Sequence, residues 1–198
     1  MQRQRSNNMF LDIGSKGATM RLFDDLKHIR KSKPKELGFS CEPVNVNGKM
    51  NLYEWEVRLF DFEGPLANDM KDYQRSSGKN YVTLIMKFSA DYPFKPPFIR
   101  VVEPRFKFRT GHVTLGGAIC MELLTVSGWT ANNDITSILI QVRAEIGSKD
   151  GGARLAPPGD QSTYTAYNEQ EAWSAFYRAA STHGWKTEGL GANMFPKV

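Results

Sequence analysis

A hairpin signal between residues 39 and 60 most constrains how this chain of 198 residues can fold. Asn47-Gly48 separates two largely apolar segments, and this pair readily adopts the positive φ angles of a tight turn. Residues 52–60 then alternate between apolar and charged side chains, which is typical of a strand with one buried face. The pattern predicts two antiparallel strands at residues 39–46 and 52–60, whose core-facing side chains in the second strand are Tyr53, Trp55, Val57 and Leu59.

Two further strands follow from the same periodicity. Residues 81–88 place Val82, Leu84, Met86 and Phe88 on one face, and residues 98–102 after the double proline predict a fourth strand at the edge of the sheet. Residues 61–80, rich in Gly, Asn, Asp and Ser, are predicted to be a long connection. Short turns between successive strands favour an antiparallel meander.

Apolar residues at spacings of three and four predict helices at both ends of the chain. The first helix has Thr19 as its candidate N-cap and is closed by Pro34. A second helix begins after Asp134 and ends at Gly147, and the last begins at Asn168.

The order of these elements is an N-terminal helix, a four-stranded antiparallel meander sheet, a long loop and C-terminal helices. This order predicts an α+β fold. We expect residues 1–14, which are polar and uneven, to form a flexible tail, and residues 15–198 to form a single domain with an extended C-terminal helix.

Composition narrows the classes of function. No apolar run approaches the roughly 20 residues that span a membrane, so we expect no membrane association and a place in the cytoplasm, the nucleus or both. The net charge of +5 fits either a solvated basic surface or an acidic partner, and nucleic acid is not expected without an arginine–aromatic repeat. Cys41 and Cys120 have no metal-ligand spacing around them, so neither a metal nor a cofactor is predicted.

Cys120 is the candidate nucleophile. It lies in an irregular stretch, residues 102–133, of a kind that is more often functional than not. Gly116 and Gly117 before it let the backbone approach closely and orient amide N–H groups. A lone cysteine among apolar residues can also be a buried packing residue, but this one lies away from any amphipathic stripe, between a proline-stiffened strand and Trp129.

These motifs resemble those of the ubiquitin-conjugating enzymes. Residues 92–97, Tyr-Pro-Phe-Lys-Pro-Pro, resemble that family's tyrosine-proline-proline signature, and residues 117–121, Gly-Ala-Ile-Cys-Met, resemble its glycine-x-isoleucine-cysteine-leucine site. Trp129 resembles the tryptophan that follows this site, displaced by one residue. The resemblance covers about residues 18–150. The sequence of residues 116–125, together with Gly184-Trp185, is most similar to the Q-type subgroup.

The resemblance implies a function for Cys120. The residue would accept ubiquitin or a ubiquitin-like protein from an activating enzyme as a thioester, and pass it to an amine of a protein substrate or to a ligase. The residues implied in ligase docking are Phe94, Pro96, Thr130 and Ala131. The basic side of the first helix would face the activating enzyme through Arg21, Lys27, Arg30 and Lys31, or would simply be a solvated helix face.

One departure from the family concerns the residues before Cys120. Family members carry histidine-proline-asparagine, with the asparagine eight positions upstream, and this asparagine is credited with steadying the oxyanion or the loop. His112 stands there in this sequence, so His112 or Thr114 donates the hydrogen bond, another group does, or the activity is weak. The family's acidic residue that orients the acceptor amine corresponds to Asp150, which is otherwise a turn residue.

Two other functions stay open at this point. A catalytically silent member of the fold could bind ubiquitin or act as a scaffold; the missing asparagine favours this reading and the presence of Cys120 opposes it. A basic nucleic-acid-binding domain would leave the cysteine motif unexplained. Among the three histidines, His28, His112 and His183, the sequence marks none as a general base.

Overall fold

The computed structural model describes residues 9–148, 152–157 and 165–198. Within these ranges the regular elements are α1 (Lys16–Ile29), α2 (Pro34–Leu37), β1 (Phe39–Val46), β2 (Lys49–Leu59), α3 (Gly64–Ser77), β3 (Val82–Lys87), β4 (Phe98–Glu103), α4 (Ile135–Ile146) and α5 (Glu169–His183). Single 3-10 turns form at Glu122–Leu124 and Ala192–Met194.

The four strands form one antiparallel sheet in the order β1-β2-β3-β4. The predicted meander is therefore confirmed, with β4 at an edge. The β1–β2 turn has positive φ angles at Asn47 (51°) and Gly48 (82°), as the Asn-Gly pair predicts. β2 begins three residues earlier than the alternation alone indicates, because Lys49 pairs with Val46 directly after the turn.

The main core lies on one face of the sheet, against the helices. The four predicted inward residues of β2 are buried, and Trp55 is completely buried with its Nε1 donating to the Leu52 carbonyl at 2.7 Å. Trp55 therefore packs the fold, as expected. A second, smaller cluster lies on the opposite side of β4 and consists of Phe98, Ala118, Ala172, Trp173, Phe176 and Leu190.

The predicted connection at residues 61–80 is wrong, since α3 occupies most of it. Pro65 stands in the first turn of α3, where a missing N–H costs nothing, and the helix ends at Gly78 in the left-handed conformation. The buried residues Leu66, Met70 and Tyr73 recur at spacings of four and three. The buried face of α3 is only these three residues wide. The many Asn, Asp, Ser and Gly residues of this segment are typical of a loop, so the helical spacing of the apolar residues was overlooked.

The N-cap of α1 is Ser15 rather than Thr19. The Ser15 hydroxyl accepts from the backbone N–H of Ala18 at 3.2 Å, whereas Thr19 lies inside the helix and donates its hydroxyl to the Ser15 carbonyl at 2.8 Å. Both residue types cap helices, and the sequence pattern placed the start one turn too late.

The predicted tail of residues 1–14 is too long at its C-terminal end. Leu11 N–H donates to the Met50 carbonyl at 2.9 Å, Met50 N–H donates to the Met9 carbonyl at 2.9 Å, and the Phe10 ring meets the Phe23 ring edge to face. Residues 9–11 therefore lie against β2 and α1. In the part of the chain that is described, no helix is long and apolar enough to cross a bilayer.

Candidate active site

Cys120 ends a small hairpin of residues 112–120, here called the Cys120 hairpin. Backbone hydrogen bonds join Cys120 N–H to the His112 carbonyl at 2.7 Å and Thr114 N–H to the Ala118 carbonyl at 2.9 Å, with a bridge between Val113 and Ile119. These bonds set His112 directly opposite Cys120. The eight-residue spacing noted in the sequence is therefore the register of a two-stranded hairpin.

The arm that carries Cys120 runs along the edge strand β4. Val101 N–H donates to the Gly117 carbonyl at 2.8 Å, and Ile119 N–H donates to the Ile99 carbonyl at 3.3 Å. Gly117 has a φ of 87°, and a Cβ at this position would lie 2.6 Å from the Tyr167 ring. Only glycine fits there without displacing the ring. The glycines that the sequence marked thus allow the hairpin to close against its neighbours.

The Cys120 thiol is half-buried, at the meeting point of two clefts. The first, here called the basic cleft, has a volume of about 550 Å³ and is lined by Phe108, Arg109, Leu115 and Arg178 among others. The second, the acidic cleft, has a volume of about 320 Å³ and includes Glu122, Gln141 and Glu145. Burial raises the pKa of the Cys120 thiol above its ordinary value.

Three side chains line both clefts: His112, Cys120 and His183. His112 Nε2 lies 3.3 Å from Glu145 Oε2 on α4. His183, at the end of α5, stacks on Trp185 with ring centroids 4.5 Å apart, and Trp185 lines the acidic cleft.

Sequence reasoning did not find His183, Trp185 or Glu145 as site residues. They lie far from Cys120 in sequence, and α4 and α5 carry them to it. The only available signal was Gly184-Trp185, read as a subgroup motif. Lys186 and Ser127 hold this segment beside the loop that follows Cys120, because Lys186 N–H donates to Ser127 Oγ at 2.8 Å.

The residues predicted to steady the oxyanion are both near Cys120. The His112 carbonyl accepts a hydrogen bond from the backbone N–H of Cys120, and Thr114 lines the basic cleft. The Thr114 hydroxyl is buried and has no hydrogen-bond partner among the described residues. Asp150, predicted to orient the acceptor amine, lies outside the described residues. Across the part of the chain that is described, no group of three or more His, Cys, Asp or Glu residues could hold a metal.

The predicted ligase-docking residues lie on two loops that are tied together. Trp129 Nε1 donates to the Pro93 carbonyl at 2.7 Å, which joins the loop before β4 to the loop before α4. Phe94 is 80% exposed and Thr130 is exposed. Pro96, however, is buried, so it supports its loop from within and is not available as a contact.

Arg21 also departs from its prediction as a surface contact. Its guanidinium pairs with Asp25 at 3.1 Å and donates to the Ala131 carbonyl at 3.1 Å and the Asn133 carbonyl at 2.7 Å. Burial raises the pKa of Asp25, although the Tyr92 hydroxyl and Arg21 both act to lower it. Arg21 is therefore a structural tie between α1 and the loop before α4.

The other three basic residues of the first helix region stay exposed. Lys27 lies 4.4 Å from the centre of the Phe23 ring, and Arg30 pairs with Glu42 of β1 at 2.6 Å. Lys31 is exposed just beyond the helix. Lys27, Arg30 and Lys31 therefore form a basic surface at the C-terminal end of α1, which Arg21 does not share.

The two cysteines should react differently with iodoacetamide. Cys41 is only 5% exposed in β1, and burial raises its pKa to about 12, so almost no thiolate exists at neutral pH. We expect Cys120 to be alkylated and Cys41 to be protected, as measured by peptide mass spectrometry. Since the Cys120 pKa is also raised, its alkylation rate should keep rising to higher pH than that of an ordinary thiol. Equal labelling of the two residues in the folded protein would contradict this; unfolded protein is the control.

Comparison with known proteins agrees with this geometry. A sequence model described as "Ubiquitin-conjugating enzyme" matches residues 21–173. Ubiquitin-conjugating enzyme E2 Q1 of human and of mouse is 34% identical over 177 residues, which cover 88% of this chain and 40% of that protein. Mouse Ubiquitin-conjugating enzyme E2Q-like protein 1 is 34% identical over 153 residues, covering 75% of this chain and 87% of that protein.

A solved ubiquitin conjugating enzyme E2 from Plasmodium falciparum shares the fold, with a TM-score of 0.52, 18% identity, and coverage of 74% of this chain and 96% of that chain. The α+β scaffold with a cysteine presented beside its edge strand is thus that of the UBC fold. This chain belongs to the ubiquitin-conjugating enzyme family, and the predicted resemblance to its Q-type members is confirmed. The chain spans about two fifths of the length of the E2 Q1 proteins.

Proposed function

We propose that this protein accepts ubiquitin or a ubiquitin-like protein from an activating enzyme as a thioester on Cys120, and transfers it to a substrate amine or to a ligase. The observation that carries the proposal is the placement of Cys120. Its thiol is half-buried where two clefts meet, on a hairpin that neighbouring backbone holds in place. A cysteine that only packed the core, such as Cys41, would be sealed.

The loading step is an exchange between two thioesters. The Cys120 thiolate attacks the carbonyl carbon of the activating enzyme's thioester, a new C–S bond forms, and the old C–S bond breaks to release the other thiolate. In transfer, an acceptor nitrogen attacks the same carbonyl and the Cys120 sulfur leaves. Splitting one acyl transfer into two easier steps is the usual advantage of covalent catalysis. The protein's part is then orientation of the reacting groups.

The backbone of His112 supports this task by fixing the loop. Its carbonyl accepts from Cys120 N–H at 2.7 Å, so the residue in place of the family's asparagine still holds the nucleophile's strand. The unpaired hydroxyl of Thr114 is the hydrogen-bond donor that we propose for the oxyanion. Asp150 stays a prediction for orientation of the acceptor amine.

Two surfaces are proposed for the partners. Phe94 and Thr130, joined through the Trp129 bond to Pro93, would contact a ligase, because an exposed aromatic side chain on a fixed loop suits an interface anchor. Lys27, Arg30 and Lys31 would contact the activating enzyme. Two free cysteines fit a reducing compartment, so we propose a place in the cytoplasm or the nucleus.

A loading reaction tests the proposal. Purified protein is incubated with a ubiquitin-activating enzyme, ubiquitin and ATP, and the products are separated with and without reductant. We expect an adduct of one ubiquitin that reductant removes. Absence of such an adduct with ubiquitin and with ubiquitin-like proteins, each supplied with its own activating enzyme, would overturn the proposal.

A further inference from the structure

His112 and Cys120 lie on opposite arms of the Cys120 hairpin and border the same space. The backbone bond of 2.7 Å between these two residues places them opposite each other, and both line the basic and the acidic clefts. The imidazole therefore borders the space in which an acceptor must approach the Cys120 thioester.

Glu145 contacts one ring nitrogen of His112 and so orients the imidazole. Its Oε2 lies 3.3 Å from His112 Nε2, and a carboxylate can only accept a hydrogen, so this contact favours the neutral tautomer with its hydrogen on Nε2 and with Nδ1 as the basic nitrogen. A nucleophile, a nearby imidazole and a third group that orients the imidazole together form the general arrangement of activated acyl transfer.

The pair contributes little to the fold. His112 adopts a φ of 57°, a left-handed conformation that costs a side-chain-bearing residue energy, and the ion pair with Glu145 is between side chains that are 55% and 39% exposed. Exposed pairs of this kind are worth at most about 1 kcal/mol. A strained residue whose side chain stabilises nothing in the core is typical of functional sites.

Other charged groups also border this space. Arg109 and Arg178 line the basic cleft, Glu122 lines the acidic cleft beside Glu145, and His183 faces both. His183 is the competing candidate for a base. It stacks on Trp185, and no carboxylate is within ion-pairing distance of it among the described residues, so nothing orients its ring nitrogens as Glu145 orients those of His112.

We propose that His112 is the general base that takes the proton from the acceptor nucleophile, and that Glu145 is the positioning residue for it. As the acceptor nitrogen bonds to the thioester carbonyl carbon, its proton passes to His112 Nδ1. The tetrahedral intermediate then collapses with cleavage of the C–S bond, and the imidazolium returns the proton to the departing Cys120 thiolate. The products are an amide and a free thiol, and His112 ends in its starting state.

This inference rests on the proposed function, so loading and discharge are measured separately. The loaded protein is purified away from the activating enzyme and ATP, and single-turnover discharge is followed with aminoacetonitrile, a weakly basic primary amine. Rates are measured over the range in which histidine titrates, up to about pH 8. We expect the wild-type rate to rise with pH and then to level off, as for a reaction that requires an unprotonated general base.

His112→Gln should load ubiquitin, lose this inflection and discharge about 10²-fold more slowly, the lower range of general base catalysis. Glu145→Ala should slow discharge about tenfold, the size of loss expected when one orienting polar contact is removed. Glu145→Gln should recover most of that loss, because its amide oxygen can accept the same hydrogen. If Glu145 acted through its negative charge alone, Glu145→Gln would discharge as slowly as Glu145→Ala, and the positioning role would be overturned. His28→Gln, at an exposed position of α1, and Glu188→Gln, at an exposed position after α5, are the matched controls and should behave as wild type.

The outcomes separate the two proposals. If wild type does not load, the proposed function fails. If His112→Gln loads and discharges with the wild-type rate and inflection, the function stands and the base assignment is overturned. The assignment is likewise overturned if His183→Gln, and not His112→Gln, removes the inflection.

Discussion

Replacing Cys120 by alanine is expected to abolish the ubiquitin adduct completely, while replacement by serine should give an adduct that survives reductant. Alanine leaves no nucleophile on the Cys120 hairpin, whereas a serine oxygen in the same place can form an ester, which thiols do not cleave under the same brief treatment. The measurement is gel separation of the loading reaction with and without reductant. The Cys120 side chain is not part of the buried core, so neither replacement should prevent folding.

Cys41→Ala is the matched control for these replacements. Cys41 is buried in β1 and pairs with Val57 of β2, on a strand that does not line either cleft. Its removal should cost some stability but leave the reductant-sensitive adduct in place. If Cys120→Ala still formed a reductant-sensitive adduct and Cys41→Ala did not, Cys41 would be the residue that carries the thioester. The basis of the proposed function would then be removed.

Replacing Trp173 by alanine is expected to lower the free energy of unfolding by about 3–5 kcal/mol, the range for truncation of a large buried aromatic side chain. Trp173 is 7% exposed and stacks on Phe98 with ring centroids 3.7 Å apart and an interplanar angle of 5°. It also meets Phe176 edge to face. Its Nε1 has no hydrogen-bond partner among the described residues, so its contribution is packing. Trp173→Phe should therefore cost much less.

The same replacement should disturb the site. Ala118 of the Cys120 hairpin belongs to the cluster around Trp173, and α5 supplies Ala175, Arg178 and His183 to the basic cleft. We expect slower discharge of loaded Trp173→Ala under conditions where it is still folded. Ser174→Ala, on the exposed side of α5, should change neither quantity. Chemical denaturation gives the free energy, and a loss below 1 kcal/mol for Trp173→Ala would mean that α5 is not held by this cluster.

The sheet was predictable because its signals are local. Strand alternation and the Asn47-Gly48 turn depend on residues that are adjacent in sequence, and they fixed the strand order, the buried face of β2 and the edge position of β4. α3 was not predictable in the same way. Its buried stripe of Leu66, Met70 and Tyr73 is narrow, and its helical state depends on packing against the rest of the core.

In the candidate site, too, only the features that depend on local sequence could be predicted. Cys120 and the position opposite it, His112, could be named from a motif and an eight-residue spacing, because a single hairpin joins them. Two predicted contacts, Pro96 and Arg21, could not be judged from sequence, since burial and hydrogen bonding withdrew them from the surface. Proline and arginine are common on protein surfaces, and only the neighbouring residues in the fold make these two unavailable for contacts with a partner.

The sequence by itself determined the family, the meander sheet and the candidate nucleophile Cys120, since each is written in short runs of neighbouring residues. Only the tertiary structure decided which groups surround that cysteine. Glu145, His183 and Trp185 reach it because α4 and α5 dock on the sheet, and docking depends on complementary buried surfaces that no local pattern encodes. The pairing of His112 with Glu145 is therefore a property of the fold and not of either segment alone.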